Sequence, residues 1–207
     1  RWRRRAGAAA PRRRRASWRA ARAPHRADGD VADAEVLEAL ARLVGVEAVG
    51  GDLDEGGVAV RAGDGDVAAP RVGAAVRQED GDFRLLNGNE MASLLVHYVL
   101  KAKAERGKLE EGDFVARTVV TTRLISDIAA EFDVPVAETL TGFKWIAAEI
   151  AAREGHGRFL VGGEESYGYL IGDEVRDKDA IAAACMIAEL ADVEWRRGRT
   201  LLDRLRD

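Results

Sequence analysis

The chain has 207 residues, 47% of them hydrophobic, so it can bury one sizeable core or two small ones. Its longest apolar runs fall short of the roughly 18 residues that a membrane-spanning helix needs. Its one cysteine, Cys185, excludes an internal disulfide and fits a reducing cytoplasm, where we expect the protein to be.

The net charge of −4 is unevenly distributed. Residues 1–26 contain eleven arginines, no lysine and no acidic residue. Without apolar periodicity, residues 1–30 are predicted to be disordered. This basic stretch could be a nucleic-acid-binding arm, an organelle transit peptide or a translated shifted reading frame. Nucleic-acid binding has the least support of the three, and a transit peptide usually has more serine than the single Ser17 found here.

Between residues 33 and 106 the sequence signals for secondary structure become stronger along the chain. Residues 33–44 are predicted to form a short amphipathic helix, and residues 45–69 a loop or weak strand. Two strands, 72–76 and 83–86, are predicted to form a hairpin. A helix from Glu90 to about Arg106 follows, capped by Asn87 or Asn89. Its buried face is predicted to consist of Met91, Leu94, Leu95, Tyr98 and Val99.

From residue 114 onward, strands and helices alternate. Strands are predicted at 114–122, 134–139 and 158–162, and helices at 123–132, 143–153 and 180–196, the last capped by Asp179. In the first of these helices Leu124, Ile125 and Ile128 are expected to point inward. The alternation predicts an α/β fold with a mixed or mainly parallel sheet covered by helices.

A turn with two carboxylates and a hydroxyl follows the third of these strands, in the sequence Gly162-Gly-Glu-Glu-Ser-Tyr-Gly168. Glycines allow a ligand to approach the backbone closely. Glu164 and Glu165 can accept hydrogen bonds from neighbouring hydroxyls, and Ser166 can both donate and accept. The turn therefore suits a polyol, although its spacing alone also fits a solvated acidic turn.

Several motifs, in order, resemble the phosphoglucomutase/phosphomannomutase (α-D-phosphohexomutase) superfamily, and most of all its phosphoglucomutase/phosphopentomutase-like branch. Together they cover roughly residues 71–207. The segments that carry the resemblance are 82–90, 118–124, 134–136, 138–146 and 162–168, followed by Arg176-Asp-Lys-Asp179.

The resemblance implies a domain order. Residues 31–86 would be a degenerate remnant of the second domain of the superfamily, 87–196 its α/β/α third domain, and 197–207 a linker toward a fourth domain. Residues before about 71 lack the ordinary α/β character of relatives, which is why a shifted reading frame is one interpretation of them.

Relatives move a phosphoryl group between the anomeric oxygen and a primary-alcohol oxygen of a sugar phosphate, using a phosphorylated serine and Mg²⁺. Their serine lies in a Ser-His-Asn-Pro loop, whereas none of the four serines here precedes a histidine. Their metal loop is Asp-x-Asp-x-Asp-Arg. Here only Asp64 and Asp66 keep that spacing and Arg71 is displaced, so we assign no metal site.

By resemblance, Glu164 and Ser166 would bind the sugar hydroxyls, with Glu165 and Tyr167 shaping the loop. Lys144 would lie near the transferred phosphoryl group, where an ammonium stabilises negative charge or moves a proton. Arg176 and Lys178 could add positive potential, although an Arg-Asp-Lys-Asp run also fits a self-paired loop.

The sequence therefore predicts a fragment of a phosphosugar mutase that binds a sugar phosphate and is inactive alone. The alternatives are a non-catalytic sugar-phosphate-binding module and nucleic-acid binding through the Arg-rich residues 1–26.

Overall fold

The computed structural model of the chain describes residues 48–50, 58–62, 71–78, 80 and 82–207. The disorder predicted for residues 1–30 and the helix predicted at 33–44 lie outside these residues. The described part contains two four-stranded sheets and five helices.

The first sheet is an antiparallel meander. Its strands are β1 (Ala48–Gly50), β2 (Val58–Ala62), β3 (Val72–Arg77) and β4 (Phe83–Leu85), and each pairs with the next along the chain. The pairing of β3 with β4 confirms the predicted hairpin. On β3 the side chains alternate between fully and partly buried, which places one face of the strand against the core.

The second sheet is mainly parallel. It contains β5 (Phe114–Thr118), β6 (Val136–Thr139), β7 (Phe159–Glu164) and β8 (Gly168–Ile171), in the spatial order β6-β5-β7-β8. β5 pairs in parallel with both β6 and β7, whereas β8 runs antiparallel to β7. This arrangement confirms the predicted α/β class and its mixed, mainly parallel sheet.

The three strands predicted for this sheet have other bounds in the structure, and β6 begins at Val136 instead of residue 134. β5 ends at Thr118 instead of residue 122, because the chain turns at Val119 and Val120. β7 continues to Glu164, two residues beyond its predicted end. β8 was not predicted at all, since Tyr167 adopts a φ of 68° and reverses the chain into a strand where a loop was expected.

Five helices cover the sheets: α1 (Gly88–Glu105), α2 (Leu124–Glu131), α3 (Phe143–Ala152), α4 (Ala180–Arg196) and α5 (Leu201–Arg206). Asn87 caps α1, which decides between the two predicted caps. Its Oδ1 accepts from the Glu90 N–H at 2.9 Å, and Glu90 Oε2 accepts from the Asn87 N–H at 2.9 Å. Such a reciprocal capping box satisfies two otherwise unpaired donors. Asp179 caps α4 as predicted.

The second sheet lies between two helical layers. On one face α3 packs against aromatic and small residues of the strands, and the cluster consists of Phe114, Ala116, Ala137, Phe143, Ile146, Ile150, Phe159 and Leu170. On the other face the larger core contains residues of β3, β5 and β7 together with α1, α2, α4 and α5. Helix α4 contacts both β3 and β8, so it connects the two sheets.

Two side-chain predictions need correction. Leu124 was expected to point inward but is 46% exposed, because α2 begins at this residue and turns Ile125 toward the core instead. Tyr98 was expected in the buried face of α1. It is only partly buried, since its hydroxyl donates to Glu189 Oε1 at 2.7 Å. Met91, Leu94, Leu95 and Val99 are buried as predicted.

The segment interpreted as a linker contains the helix α5. Thr200 caps this helix, and Leu201 and Leu202 are buried in the larger core. No helix within the described ranges is both long and apolar enough to cross a membrane.

Candidate functional site

Three loops meet where the parallel strands of the second sheet end. They follow β5, β6 and β7, and parallel strands place their carboxyl ends at one edge of a sheet. We call residues 119–123, 140–145 and 164–168 the carboxyl edge. The backbone joins the first two loops, because the Val119 N–H donates to the Thr139 carbonyl at 2.8 Å.

Glu164 is the last residue of β7, and its carboxylate is held inside the site. The residue is only 6% exposed, and its Oε1 accepts from the Gly142 N–H at 2.8 Å. Gly142 precedes α3 and has a φ of 114°, a conformation that side chains disfavour. Glu164 therefore fixes the start of the helix that carries Lys144, and the interpretation as a solvated turn does not describe it.

Glu165 is bound to the loop that follows β5. Its Oε2 accepts from the Thr121 hydroxyl at 3.2 Å, and the Thr121 hydroxyl lies 2.7 Å from that of Thr118. Both threonines are buried. Ser166 and Tyr167 complete the turn and are partly buried, and the Tyr167 carbonyl accepts from the Val72 N–H at 3.2 Å.

The start of α1 packs against the turn at residues 164–168. A Cβ at Gly88 would overlap the carbonyl oxygen of Glu165, so the two backbones are in direct contact. The Tyr169 hydroxyl donates to the Gly88 carbonyl at 3.2 Å. Asn89 Oδ1 accepts from the Thr122 N–H at 2.9 Å, which ties α1 to a second loop of the carboxyl edge.

Lys178 lies against the same turn. Its side chain is 11% exposed, and its stem occupies the space where Gly168 lacks a Cβ. The ammonium lies 4.9 Å from the centre of the Phe143 ring and donates to Asp177 Oδ1 at 2.7 Å. Burial works to raise the pKa of Asp177, but the hydrogen bonds and charge of Lys178 outweigh it and hold that pKa below its usual value.

The other two predicted cations differ in position. Lys144 is exposed in the first turn of α3, with Nζ 5.2 Å from the centre of the Trp145 ring. Arg176 instead pairs with Glu154 at 2.9 Å. Glu154 lies beyond the carboxyl end of α3, a ten-residue helix, and ten helical residues extend about 15 Å. The structure thus gathers Glu164, Glu165, Ser166 and Lys178 near the helix start that carries Lys144, and leaves Arg176 apart.

Comparison with protein families gives a match over residues 87–207, more than half of the chain, to the model described as phosphoglucomutase/phosphomannomutase, alpha/beta/alpha domain III. The chain belongs to the phosphoglucomutase/phosphomannomutase family. The resemblance inferred from the sequence motifs is thereby confirmed.

Curated relatives in this family include the phosphoglucomutase of Staphylococcus epidermidis, 37% identical over 145 residues, and that of Staphylococcus aureus, 35% identical over 141 residues. The matches cover 69% and 68% of this chain and 25% of each relative. The chain therefore spans about a quarter of the length of these relatives.

Solved structures of the family are also similar. Parafusin, a phosphoglucomutase from Paramecium in an open form, is 21% identical with a TM-score of 0.47, over 82% of this chain and 26% of its own. The N-acetylphosphoglucosamine mutase of Aspergillus fumigatus, solved with GlcNAc-6P and magnesium, is 16% identical with a TM-score of 0.45, over 63% of this chain and 32% of its own.

For this family member, the described residues contain no group of three or more histidine, cysteine, aspartate or glutamate side chains that could hold a metal ion. Asp64 and Asp66 lie outside those residues.

Three residues whose contacts shape this candidate site were not singled out from the sequence: Thr121, Gly142 and Arg117, whose Nη1 donates to the Thr121 carbonyl at 3.0 Å. Arg117 could have been found, because a charged residue inside an otherwise apolar strand needs polar partners when it is buried. Gly142 carried the signal of a glycine directly before a helix. Nothing in the sequence indicated that Thr121 would reach Glu165, which lies 44 residues away.

Proposed function

We propose that this chain is the sugar-phosphate-recognition part of a phosphosugar mutase and that it is inactive alone. One contact carries the proposal. The hydrogen bond from the Gly142 N–H to Glu164 joins the turn at 164–168 to the helix start that carries Lys144. Acceptors for sugar hydroxyls and a cation for a phosphate are thus held on adjacent loops.

Different side chains would bind the sugar hydroxyls and the phosphate of the ligand. Glu164 uses Oε1 internally, which leaves Oε2 to accept from a ring hydroxyl, and Ser166 can donate or accept beside it. The ammonium groups of Lys144 and Lys178 supply charge-assisted hydrogen bonds to phosphate oxygens. Glu165, already bound to Thr121, contributes by shaping the loop.

In the complete enzyme the reaction would move a phosphoryl group between the 1-position and the 6-position of a hexose, or the 5-position of a pentose. Mg²⁺ would neutralise charge on the transferred group when bound. None of the four serines of this chain is followed by histidine, so the nucleophilic loop of the family is missing. The isolated chain would therefore recognise its ligand without transferring the group.

The sugar is proposed as a glucose, mannose or pentose phosphate. We also place the protein in the cytoplasm, because Cys185 is its one cysteine and is a buried free thiol, which suits a reducing compartment.

A titration tests the binding half of the proposal. Glucose 1-phosphate, mannose 1-phosphate and ribose 5-phosphate are added in turn, up to millimolar concentration, while amide resonances of the protein are followed. At least one should shift the amides of residues 163–168 and Lys144. The variant E164Q should bind about tenfold more weakly, as expected for a weakened charge-assisted hydrogen bond.

The matched control is E105Q, which changes an exposed glutamate at the end of α1 and should bind like the wild type. If none of the three sugar phosphates shifts these amides, the binding half is wrong. A coupled mutase assay tests the other half, and turnover above background would contradict the claim of inactivity.

Comparing K178M with R176M tests the two remaining cations. Both residues were considered as sources of positive potential for the ligand, and the position of Lys178 against the turn supports it more strongly than Arg176. We expect K178M to weaken binding more than R176M does. Equal losses would show that Arg176 leaves Glu154 to join the site.

A further inference from the structure

Arg117 is a buried arginine with four hydrogen bonds. It is 5% exposed and is the second-last residue of β5. Its Nε donates to Ser126 Oγ at 2.9 Å, and its Nη1 donates to the carbonyls of Thr118 and Thr121, each at 3.0 Å. Its Nη2 donates to Glu138 on the neighbouring strand. A buried charge is tolerated only when it is paired in this way.

The two carbonyls that Arg117 binds belong to the turn that reaches Glu165. In that turn the Thr121 N–H donates to the Thr118 carbonyl at 3.1 Å. The Thr121 hydroxyl donates to Glu165, so the Thr118 hydroxyl acts as the donor to Thr121. The Nη1 of Arg117 therefore binds the carbonyls of both threonines, and the hydroxyls of these threonines form the hydrogen-bonded series that ends at Glu165.

We propose that Arg117 is a positioning residue for the sugar-phosphate site, acting through Thr121 on Glu165. This inference rests on the function proposed above. The rigid planar guanidinium sets the turn at 118–121, and the turn presents the Thr121 hydroxyl to Glu165. Glu165 lies between Glu164 and Ser166 in the chain, so fixing its side chain fixes the backbone from which both ligand-binding side chains extend.

The geometry separates this role from ordinary structural support. Two of the four contacts are to carbonyls of the threonine turn, which is hydrogen-bonded to Glu165 in the turn at 164–168. The contact to Ser126 instead connects Arg117 to α2. Removing the Ser126 hydroxyl costs Arg117 one partner without touching the loop. Removing the Thr121 hydroxyl cuts the connection to Glu165 and leaves the carbonyl that Arg117 binds.

The experiment compares R117M, R117K, T121V and the control S126A in the full chain. Three quantities are measured: the free energy of unfolding in urea, amide hydrogen exchange at residues 165–167 without ligand, and the affinity for glucose 1-phosphate. In R117M and T121V we expect about tenfold faster exchange and about tenfold weaker binding, because both variants should lose the one buried hydrogen bond from Thr121 to Glu165.

The pattern across variants is the decisive result. The double variant R117M/T121V should lose no more affinity than the more affected single variant, because both changes break one connection. R117K should recover part of the affinity, since an ammonium can still donate to both carbonyls. S126A should lower stability but keep wild-type exchange at 165–167 and wild-type affinity.

If exchange at 165–167 and affinity in R117M match those in S126A, the inference is overturned. If R117M fails to fold, R117K and T121V carry the same comparison. If the wild type binds no glucose 1-phosphate, the proposed ligand is wrong, and exchange without ligand still decides the role of Arg117. Faster exchange in both R117M and T121V then supports it, and unchanged exchange overturns it.

Discussion

Because Gly88 has no Cβ, the turn at residues 164–168 can lie directly against the start of α1. A Cβ there would overlap the Glu165 carbonyl oxygen, which belongs to backbone and cannot rotate away. In an ordinary helix, alanine in place of glycine stabilises by up to about 1 kcal/mol. We predict the opposite sign for G88A, a loss of about 1–3 kcal/mol from steric strain, measured as the free energy of unfolding in urea.

The matched control is G73A on β3. A Cβ at that position would meet only side-chain atoms of Leu85 and Tyr167, at 3.8 and 3.9 Å, which are ordinary contact distances. Its stability should stay close to that of the wild type. A G88A protein as stable as the wild type would show that the loop does not depend on this close contact.

His97 gives a second prediction about a single residue. Burial, followed by the charges of Arg204 and Lys101, lowers its pKa to about 4. In the unfolded chain the pKa should be near 6.5. As the pH falls from about 6.5 to 4, the unfolded state therefore takes up the proton first, and the free energy of unfolding should fall.

The variant H97Q isolates this effect, because its amide oxygen can still accept from Arg204, whose Nη2 lies 2.6 Å from His97 Nε2. Urea unfolding at pH 7 and pH 4.5 should show a smaller loss of stability for H97Q than for the wild type. Equal losses would assign the acid sensitivity to other groups.

At the scale of an element, α5 behaves as part of the core. The sequence interpretation treated residues 197–207 as a linker, yet Leu201 is fully buried and Thr200 caps the helix. We predict that L201A costs about 2–5 kcal/mol, as for a buried leucine elsewhere. The measurement is the free energy of unfolding in urea.

Leu140 provides the comparison for that variant. It carries the same side chain on an exposed loop at the carboxyl edge, so L140A should change stability by no more than about 0.5 kcal/mol. If L201A is as mild as L140A, then α5 does not contribute to the core.

At the scale of the whole molecule, the carboxyl edge exposes large apolar side chains. They are Val119, Val120, Leu140 and Trp145, each more than 40% exposed. Exposed apolar groups close together promote association. We predict concentration-dependent self-association of the isolated chain in sedimentation velocity experiments, reduced by V120K.

A lysine introduced outside the carboxyl edge controls for the effect of an added positive charge on association. Phe83 on β4 is 49% exposed but belongs to the other sheet, so F83K should leave the association unchanged. A wild-type chain that stays monomeric at every concentration, or an equal effect of both lysines, would contradict the prediction.

The sequence by itself determined the features that depend on neighbouring residues. Apolar periodicity and capping residues placed the hairpin and all four longer helices, and the order of motifs indicated the family that the match over residues 87–207 confirms. These signals are local, because helix periodicity, caps and turns are set by residues a few positions apart.

Only the tertiary structure decided which predicted side chains meet. In the fold, Glu164 is buried and accepts a hydrogen bond from Gly142, and Glu165 accepts one from Thr121, whose carbonyl binds Arg117. Lys178 lies against the turn at 164–168, whereas Arg176 pairs with Glu154. The tertiary structure also showed the strand β8 and the buried helix α5. The contacts of Glu164, Glu165 and Arg176 join residues more than twenty positions apart, and those of Arg117 and Lys178 depend on how loops and strands pack. Their energies come from burial and hydrogen bonding between elements, which local sequence patterns do not specify.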